Sequence, residues 1–423
     1  MADKVLCDKS DLVNIADAVR SKLGVTDTYY VSELSSAIQN IQTGGGGSTS
    51  DPTDPVEVYN NTRPSDWLPM PTPADNEMYL LFHIPDGVSS LLAFTVTCTG
   101  NYTVALGSVS DGAFVQMSST TVSSGSKYET ELFADDCGNL TSDGMKQVMV
   151  KVSGTDILTW APSTHSKKTS PSNFAGWNII EISCNLPSGT SVACGSSTGN
   201  SALRKLRYFA WYGKNAVTNM GFMFNYCNSL TAIPQIDTSA VTDMNNMFGN
   251  CNSLTAIPQI DTSAVTNMSY MFYSCYSFKA IPQIDTSAVT NIGGMFNGCY
   301  SLTAIPQMDT SAVTDMNSMF GGCYSLMAIP QIDTSAVTNM RFMFNNCNSL
   351  TAITLNNTVT GWAGYAISLI NCSLSHAAIV AFFNSLPTIT SAKAITLTGN
   401  PGVSELTNAE KAIATGKGWT LTL

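Results

Sequence analysis

Residues 230–251 read LTAIPQIDTSAVTDMNNMFGNC, and units of this kind recur every 24 residues through the second half of the chain. Cys227, Cys251, Cys275, Cys299, Cys323 and Cys347 mark the period without a break. It is shared by Ile-Pro-Gln steps from Ile233, Ile257, Ile281, Ile305 and Ile329, and by Asp237, Asp261, Asp285, Asp309 and Asp333. A fixed repeat of this length is the signature of a solenoid, because one unit cannot bury its apolar face alone and must stack on its neighbours. Within a unit, Met244, Met247, Phe248 and Cys251 stand at i, i+3, i+4 and i+7, which predicts one face of a short helix. Leu254, Ala256 and Ile257 predict a brief strand that Pro258 ends. The expectation is an α/β solenoid of 24-residue units over residues 203–360. Its degenerate first rung carries Leu206, Phe209, Tyr212, Val217 and Met220.

Working outward, residues 361–423 are expected to form a C-terminal cap, because residues 374–423 resemble the closing segment that often follows such repeats: Leu374-Ser375 opens a helix, Ile395 to Gly399 is a strand, and Asn408 to Gly416 is a last helix. Upstream, residues 55–202 hold β-rich runs between Gly, Ser, Asn and Asp clusters. These are Met78–Ile84, Leu91–Cys98, Tyr102–Leu106, Tyr128–Phe133, Gln147–Val152 and Asn178–Cys184, and their spacing predicts an antiparallel β-sandwich. Trp67, Trp160 and Trp177 are either core residues of that sandwich or exposed rings able to hold sugar. Residues 44–54, opening on Gly44-Gly45-Gly46-Gly47, are a flexible linker. Residues 1–43 predict a helical hairpin, with Ser10 and Ser32 as caps and one apolar stripe per helix. So short a segment has no core of its own, so it either packs on its neighbour domain or serves as an oligomerisation or docking element, and the second reading is favoured.

The composition fits a surface for contact better than a site for catalysis. Only 12% of the 423 residues are charged, about half the usual share. Thirty acidic against 19 basic residues give a net charge of −11, which argues against a nucleic-acid partner. The three histidines, His83, His165 and His376, lie in unrelated segments. No apolar run is long enough for a membrane span, and the first residues lack the form of a signal peptide. Folding in a reducing cytoplasm is therefore expected, with the 12 cysteines as thiols. Stacked cysteines would carry parallel Cβ vectors, which disfavours bridging, and no paired CxxC completes a zinc site. The Asp column needs local compensation, by backbone N–H groups of the Thr-Ser turn or by calcium. No catalytic constellation, cofactor or metal site is recognisable.

Five slots per repeat vary against a near-constant scaffold: 221, 222, 225, 226, 228 and their equivalents every 24 residues. On a helix they would fan across the face opposite the core. The thirty slots hold only Asn, Gly, Tyr, Ser, Phe and Arg, without the Lys, Glu, Gln and Ala that usually fill an exposed helix. That set resembles a paratope alphabet. The candidate contacts are Phe222, Tyr226, Tyr270, Tyr273, Tyr276, Tyr300, Tyr324, Arg341 and Phe342. Neutral drift among duplicated repeats is the rival origin. All six residue types are also reachable from an asparagine codon ending in a pyrimidine by changing only its adenines, as adenine-directed diversification would do.

The segment from Thr262-Ser263-Ala264-Val265-Thr266-Asn267-Met268 through Met271-Phe272 to Cys275 resembles the TSxVTxMxxMFxxC unit of the BspA-like leucine-rich repeats of bacterial surface proteins. The likeness covers residues 206–355. Lys9-Ser10-Asp11-Leu12 through Arg20, then Leu34 to Ile41, resembles the leader of tail-fibre and receptor-binding proteins from phages of Gram-positive gut bacteria. Together these resemblances imply a non-enzymatic adhesin of the virion, made in the host cytoplasm. It would be a homotrimer, bound to other tail proteins through residues 1–43 and to a bacterial surface glycan or protein receptor through the repeats. The alternatives are a BspA-like adhesin of the bacterial cell surface and a polysaccharide depolymerase.

Overall fold

A computed structural model describes residues 63–138, 140–163, 178–197, 203–233, 236–353 and 366–423. The expected helical hairpin, the linker and Trp177 lie outside the described residues. The described residues fall in one unit, Thr53–Leu423. None of its described helices is long and apolar enough to cross a membrane.

The β-rich region forms a single eight-stranded sheet. Its strands are β1 (Glu77–Pro85), β2 (Ser89–Ser110), β3 (Ala113–Ser123), β4 (Lys127–Phe133), β5 (Met145–Pro162), β6 (Ile179–Asn185), β7 (Ser191–Val192) and β8 (Tyr208–Trp211). The order is β3-β2-β5-β1-β6-β8, with β4 also on β2 and β7 also on β5. The expected runs are strands and most pairings are antiparallel, but the described residues of this region join in one sheet and not in two separate ones. Leu91–Cys98 and Tyr102–Leu106 belong to one 22-residue strand. It shifts register between Thr97 and Tyr102, beside Gly100 at φ 75°. Its first half pairs with β4 and its second with β3, and Leu92 and Phe94 of the first half and Val104 of the second enter one core with Val148 and Val150 of β5.

β1 is buried on both sides, as its unbroken apolar run requires. Met78, Leu80, Phe82 and Ile84 face the main core, while Tyr79 and Leu81 pack under Trp67. Trp67 and Trp160 are almost wholly buried, so the sugar-platform reading gives way to core packing for both.

The solenoid grows directly from this sheet. β8 pairs in parallel with β6 on one side, and Tyr208 bridges to Ala232 of the next rung on the other. Val217, Met220, Met223, Phe224, Cys227 and Leu230 each begin a buried column that repeats at every rung. The Phe224, Phe248, Phe272, Phe296, Phe320 and Phe344 rings stack in sequence, 5.5–5.9 Å between centroids.

The predicted helix is not formed. Between Met244 and Cys251, Met247, Gly249 and Cys251 donate back to the third preceding carbonyl, closing successive turns. The residues between them, Asn246, Phe248 and Asn250, donate to Ser269, Met271 and Tyr273 of the next rung. A helix would send every N–H to its own fourth preceding carbonyl, so this alternation is a chain of turns stitched sideways. The third residue of the turns closed at Met247 and Cys251 has positive φ, 53° at Asn246 and 61° at Asn250, as a type II turn demands. Two such turns still bring positions i, i+3, i+4 and i+7 to one side, which explains why the apolar spacing imitates a helix. The brief strand at Leu254–Ile257 is also absent; the parallel bridges fall instead on Asn219, Asp243, Asn267, Asn291, Asp315 and Asn339. The repeat is a β-solenoid, not an α/β one.

Among the described residues, strand and α-helix alternate only in the cap. β9 (Ile367–Ser368), β10 (Lys393–Thr396) and β11 (Trp419–Thr422) form a parallel sheet with α1 (His376–Ser385) and α2 (Asn408–Thr415). Ser375 caps α1, and Thr407 with Glu410 forms a capping box on α2. The same core runs from Met78 in the sheet to Trp419 in the cap.

Candidate functional site

The polar columns are built before any ligand is considered. Asp237, Asp261, Asp285 and Asp309 each accept from the backbone N–H and hydroxyl of the serine two residues on, and Asp333 accepts from the N–H of Ser335. The Ser287 hydroxyl holds the Asp285 carboxyl below the usual carboxylate range, and the Ser311 N–H does so for Asp309. These are the capping contacts expected for the column. Among the described residues no three His, Cys, Asp or Glu side chains gather as a metal site.

The cysteine column has a second role beyond filling space. Cys251, Cys275, Cys299, Cys323, Cys347 and Cys372 each donate through Sγ to the Phe carbonyl of the preceding rung, at 3.0–3.1 Å. Burial pushes these thiols up, so they stay protonated and able to donate.

The variable columns divide by backbone geometry. Positions 222, 246, 270, 294, 318 and 342 all have positive φ, as do 226, 250, 274, 298, 322 and 346. Gly and Asn suit such positions, so in these two columns the restricted alphabet follows from the turn and not from an exposed helix face. Phe222, Tyr226, Tyr270 and Phe342 do not suit it; each stores about 1–2 kcal/mol of left-handed strain.

The candidate aromatics are not all brought together. Phe222 and Tyr226 are half-buried, and Phe222 lines a separate 260 Å³ cavity with Trp211 at the sheet end. Tyr270 meets Tyr273 edge-on at 5.8 Å, and its ring lies over Gly294 of the next rung. Arg341 sits over Phe342 at 5.8 Å.

Tyr276, Tyr300 and Tyr324 form an exposed ladder, with centroids 4.7 Å apart and planes within 5° and 11°. Burial by its neighbours raises the Tyr300 phenol above its ordinary range. The ladder borders a groove of about 420 Å³ that also meets Tyr273 and Phe342. Its lining includes Gly298, Gly321 and Gly322, whose missing side chains leave the space open. Ser274, Asn297, Ser318, Asn345 and Asn346 supply polar atoms, and no Asp, Glu, Lys, Arg or His lines it.

A second polar constellation, not foreseen from the sequence, lies where sheet meets solenoid. Trp67, His83, Asp143, Lys205 and Arg207 border a 410 Å³ pocket. The Leu68 N–H donates to Gln147 Oε1, which orients the amide so that Nε2 donates to His83 Nε2 at 2.7 Å. His83 is thereby kept neutral with its proton on Nδ1, and burial pushes its pKa down to about 4. Arg63 grips the buried Glu181 carboxylate through two bonds and, like Arg207, lies over the Trp67 ring. Each of these cations or carboxylates already has a partner or an exposed position, so the cluster reads as a joint between the two parts.

No curated protein matches the chain. Residues 209–304 and 276–364 match the family described as Mycoplasma protein of unknown function, DUF285. The matched segments cover the stacked rungs and stop short of all three strands of the cap, and with the rung geometry they fit a repeat protein of the BspA-like type.

Proposed function

We propose that this chain is a non-enzymatic attachment protein that engages a bacterial surface through its repeats. The observation that carries the reading is the exposed tyrosine ladder on an uncharged groove, held by a scaffold whose rungs share one core. Tyrosine offers large contact area at small entropic cost, while Asn, Ser and Gly adapt their hydrogen bonding. A stacked array also repeats the contact, so weak single interactions add through multivalency.

The carrier of this surface is proposed to be a phage tail, with residues 1–43 docking the chain on the virion and organising a homotrimer. That assignment rests on the resemblance of the leader. Immunogold labelling of virions with an antibody to the solenoid tests it: label at the tail tip is the expected result. Label on the bacterial envelope, with none on particles, would favour the cell-surface adhesin. Incubation with host polysaccharide should release no new reducing ends; their appearance would replace attachment by depolymerisation.

A further inference from the structure

The ligand that suits the tyrosine groove is specified by its chemistry. The three ladder rings cover one another's faces, so they show solvent their edges and hydroxyls at a regular 4.7 Å spacing. The floor and walls offer amides and hydroxyls without a formal charge. The tyrosine and serine hydroxyls and the asparagine amides of the lining can both donate and accept hydrogen bonds. A chain dense in neutral hydroxyls meets all three demands.

Periodicity and charge narrow the choice. A ligand lying along the stack meets the same column once per rung, every 4.7 Å along the ladder and 5.5–5.9 Å along the phenylalanine column. An extended polysaccharide advances by a comparable length per sugar. A peptide advances about 3.3 Å per residue and falls out of step with the rungs. Anionic polymers meet an acidic protein and no cation in the groove.

We infer that the groove between Tyr273 and Phe342 binds a neutral polysaccharide chain laid along the solenoid axis. Sugar C–H faces rest on the Phe342 ring, and sugar hydroxyls exchange hydrogen bonds with the tyrosine hydroxyls and the Ser and Asn side chains of the lining. The inference deepens the attachment reading and depends on it.

Column mates supply substitutions that the fold already accommodates. Asn stands at 252 and 348 in the ladder column, and at 250 and 346, with positive φ, in the column of Gly298 and Gly322. Tyr276→Asn/Tyr300→Asn/Tyr324→Asn removes the ladder, and Gly298→Asn/Gly322→Asn fills the floor. Met327→Thr, at an exposed position outside the groove lining whose column mates include Thr255, Thr303 and Thr351, is the control.

The test uses the full chain in two arms. Affinity electrophoresis covers neutral polysaccharides (mannan, galactan, β-glucan) and acidic ones (polygalacturonate, hyaluronan). Cell binding uses Gram-positive isolates left untreated, oxidised with periodate, or shaved with protease. Retardation by at least one neutral polymer is expected, weakened about tenfold or more by either groove variant and unchanged in the control. Cell binding should be lost on periodate treatment and survive protease. Binding only to acidic polymers, or cell binding that resists periodate and is abolished by protease, overturns the glycan inference and leaves attachment standing. Binding to no polymer and no cell overturns both.

Discussion

The thiol column invites a quantitative test at Cys299. Its side chain is fully buried, and its Sγ donates to the Phe272 carbonyl at 3.1 Å. Cys299→Ala deletes one buried heavy atom in a tight stack, which costs about 0.5–1.5 kcal/mol by analogy with Ile→Val. The Phe272 carbonyl keeps its bond from the Cys275 N–H, also at 3.1 Å, so it is not orphaned. Losing the thiol bond then adds about 0.5–1 kcal/mol. The alanine variant should therefore be less stable by roughly 1–2.5 kcal/mol. Cys299→Ser separates the two contributions. If the thiol acts as a donor, the serine hydroxyl inherits the Phe272 carbonyl and the variant is at least as stable as alanine. If the thiol only fills volume, serine buries an unpaired hydroxyl and falls below alanine by about 1–3 kcal/mol. Urea unfolding at constant m reads the difference as a shift in midpoint. A serine variant clearly less stable than alanine would refute the S–H···O ladder.

The same column makes a labelling experiment decisive: among the described cysteines Cys137 is half-buried and should react in the native state with a thiol reagent, while the ten buried ones react only on unfolding. Native reaction at any solenoid cysteine would show that the rungs open. At the other end, backbone N–H bonding by Thr407 and the His376 imidazole hold the Glu410 carboxyl down at about 2, below its ordinary 4.5. A depressed carboxyl stabilises the fold above pH 4.5 and loses that contribution as pH falls towards 2. Amide exchange of α2 should therefore accelerate across that window, and Glu410→Gln, which keeps a capping partner without a titrating group, should flatten the response. Gly294 has φ 64°, and a Cβ there would stand 2.3 Å from the Tyr270 ring. Gly294→Ala should cost about 1 kcal/mol for the backbone plus a similar amount for displacing the ring. In a Tyr270→Asn background only the backbone part should remain, and a double-mutant cycle with no coupling would contradict the contact.

The columns were legible in the sequence because identical residues at a fixed period stack on themselves. Phe224 to Phe344 and Cys227 to Cys347 pack along the axis as the spacing implies. The local backbone was misread because Met244, Met247, Phe248 and Cys251 satisfy a helix and a pair of type II turns equally. Asn246 and Asn250, with Gly294, Gly298 and Gly322 at equivalent places, carried the distinguishing signal. Those residues stand at variable positions, where the left-handed geometry they serve adds nothing to the apolar periodicity.

The site was legible in part for the same reason. Tyr276, Tyr300 and Tyr324 share one column and therefore meet, whereas Phe222 and Tyr226 lie rungs away from them. The open floor is made by the absence of side chains at Gly298, Gly321 and Gly322, which a search for interacting groups passes over. The Trp67–His83–Arg207 joint was invisible because its members come from three distant strands or loops, and only pairing of β1, β6 and β8 assembles them.

The sideways stitching of the turns also bears on how such a chain changes over generations. In the turn segment each rung offers its neighbour backbone donors and acceptors at the same positions, whatever side chains the variable slots carry. A recombination event that inserts or deletes one 24-residue block therefore rejoins like to like, with the sheet and the cap still meeting a standard rung. The reach of the binding surface becomes a quantity inherited in whole steps. A lineage can lengthen, shorten or reorder its footprint without having to solve the folding problem again.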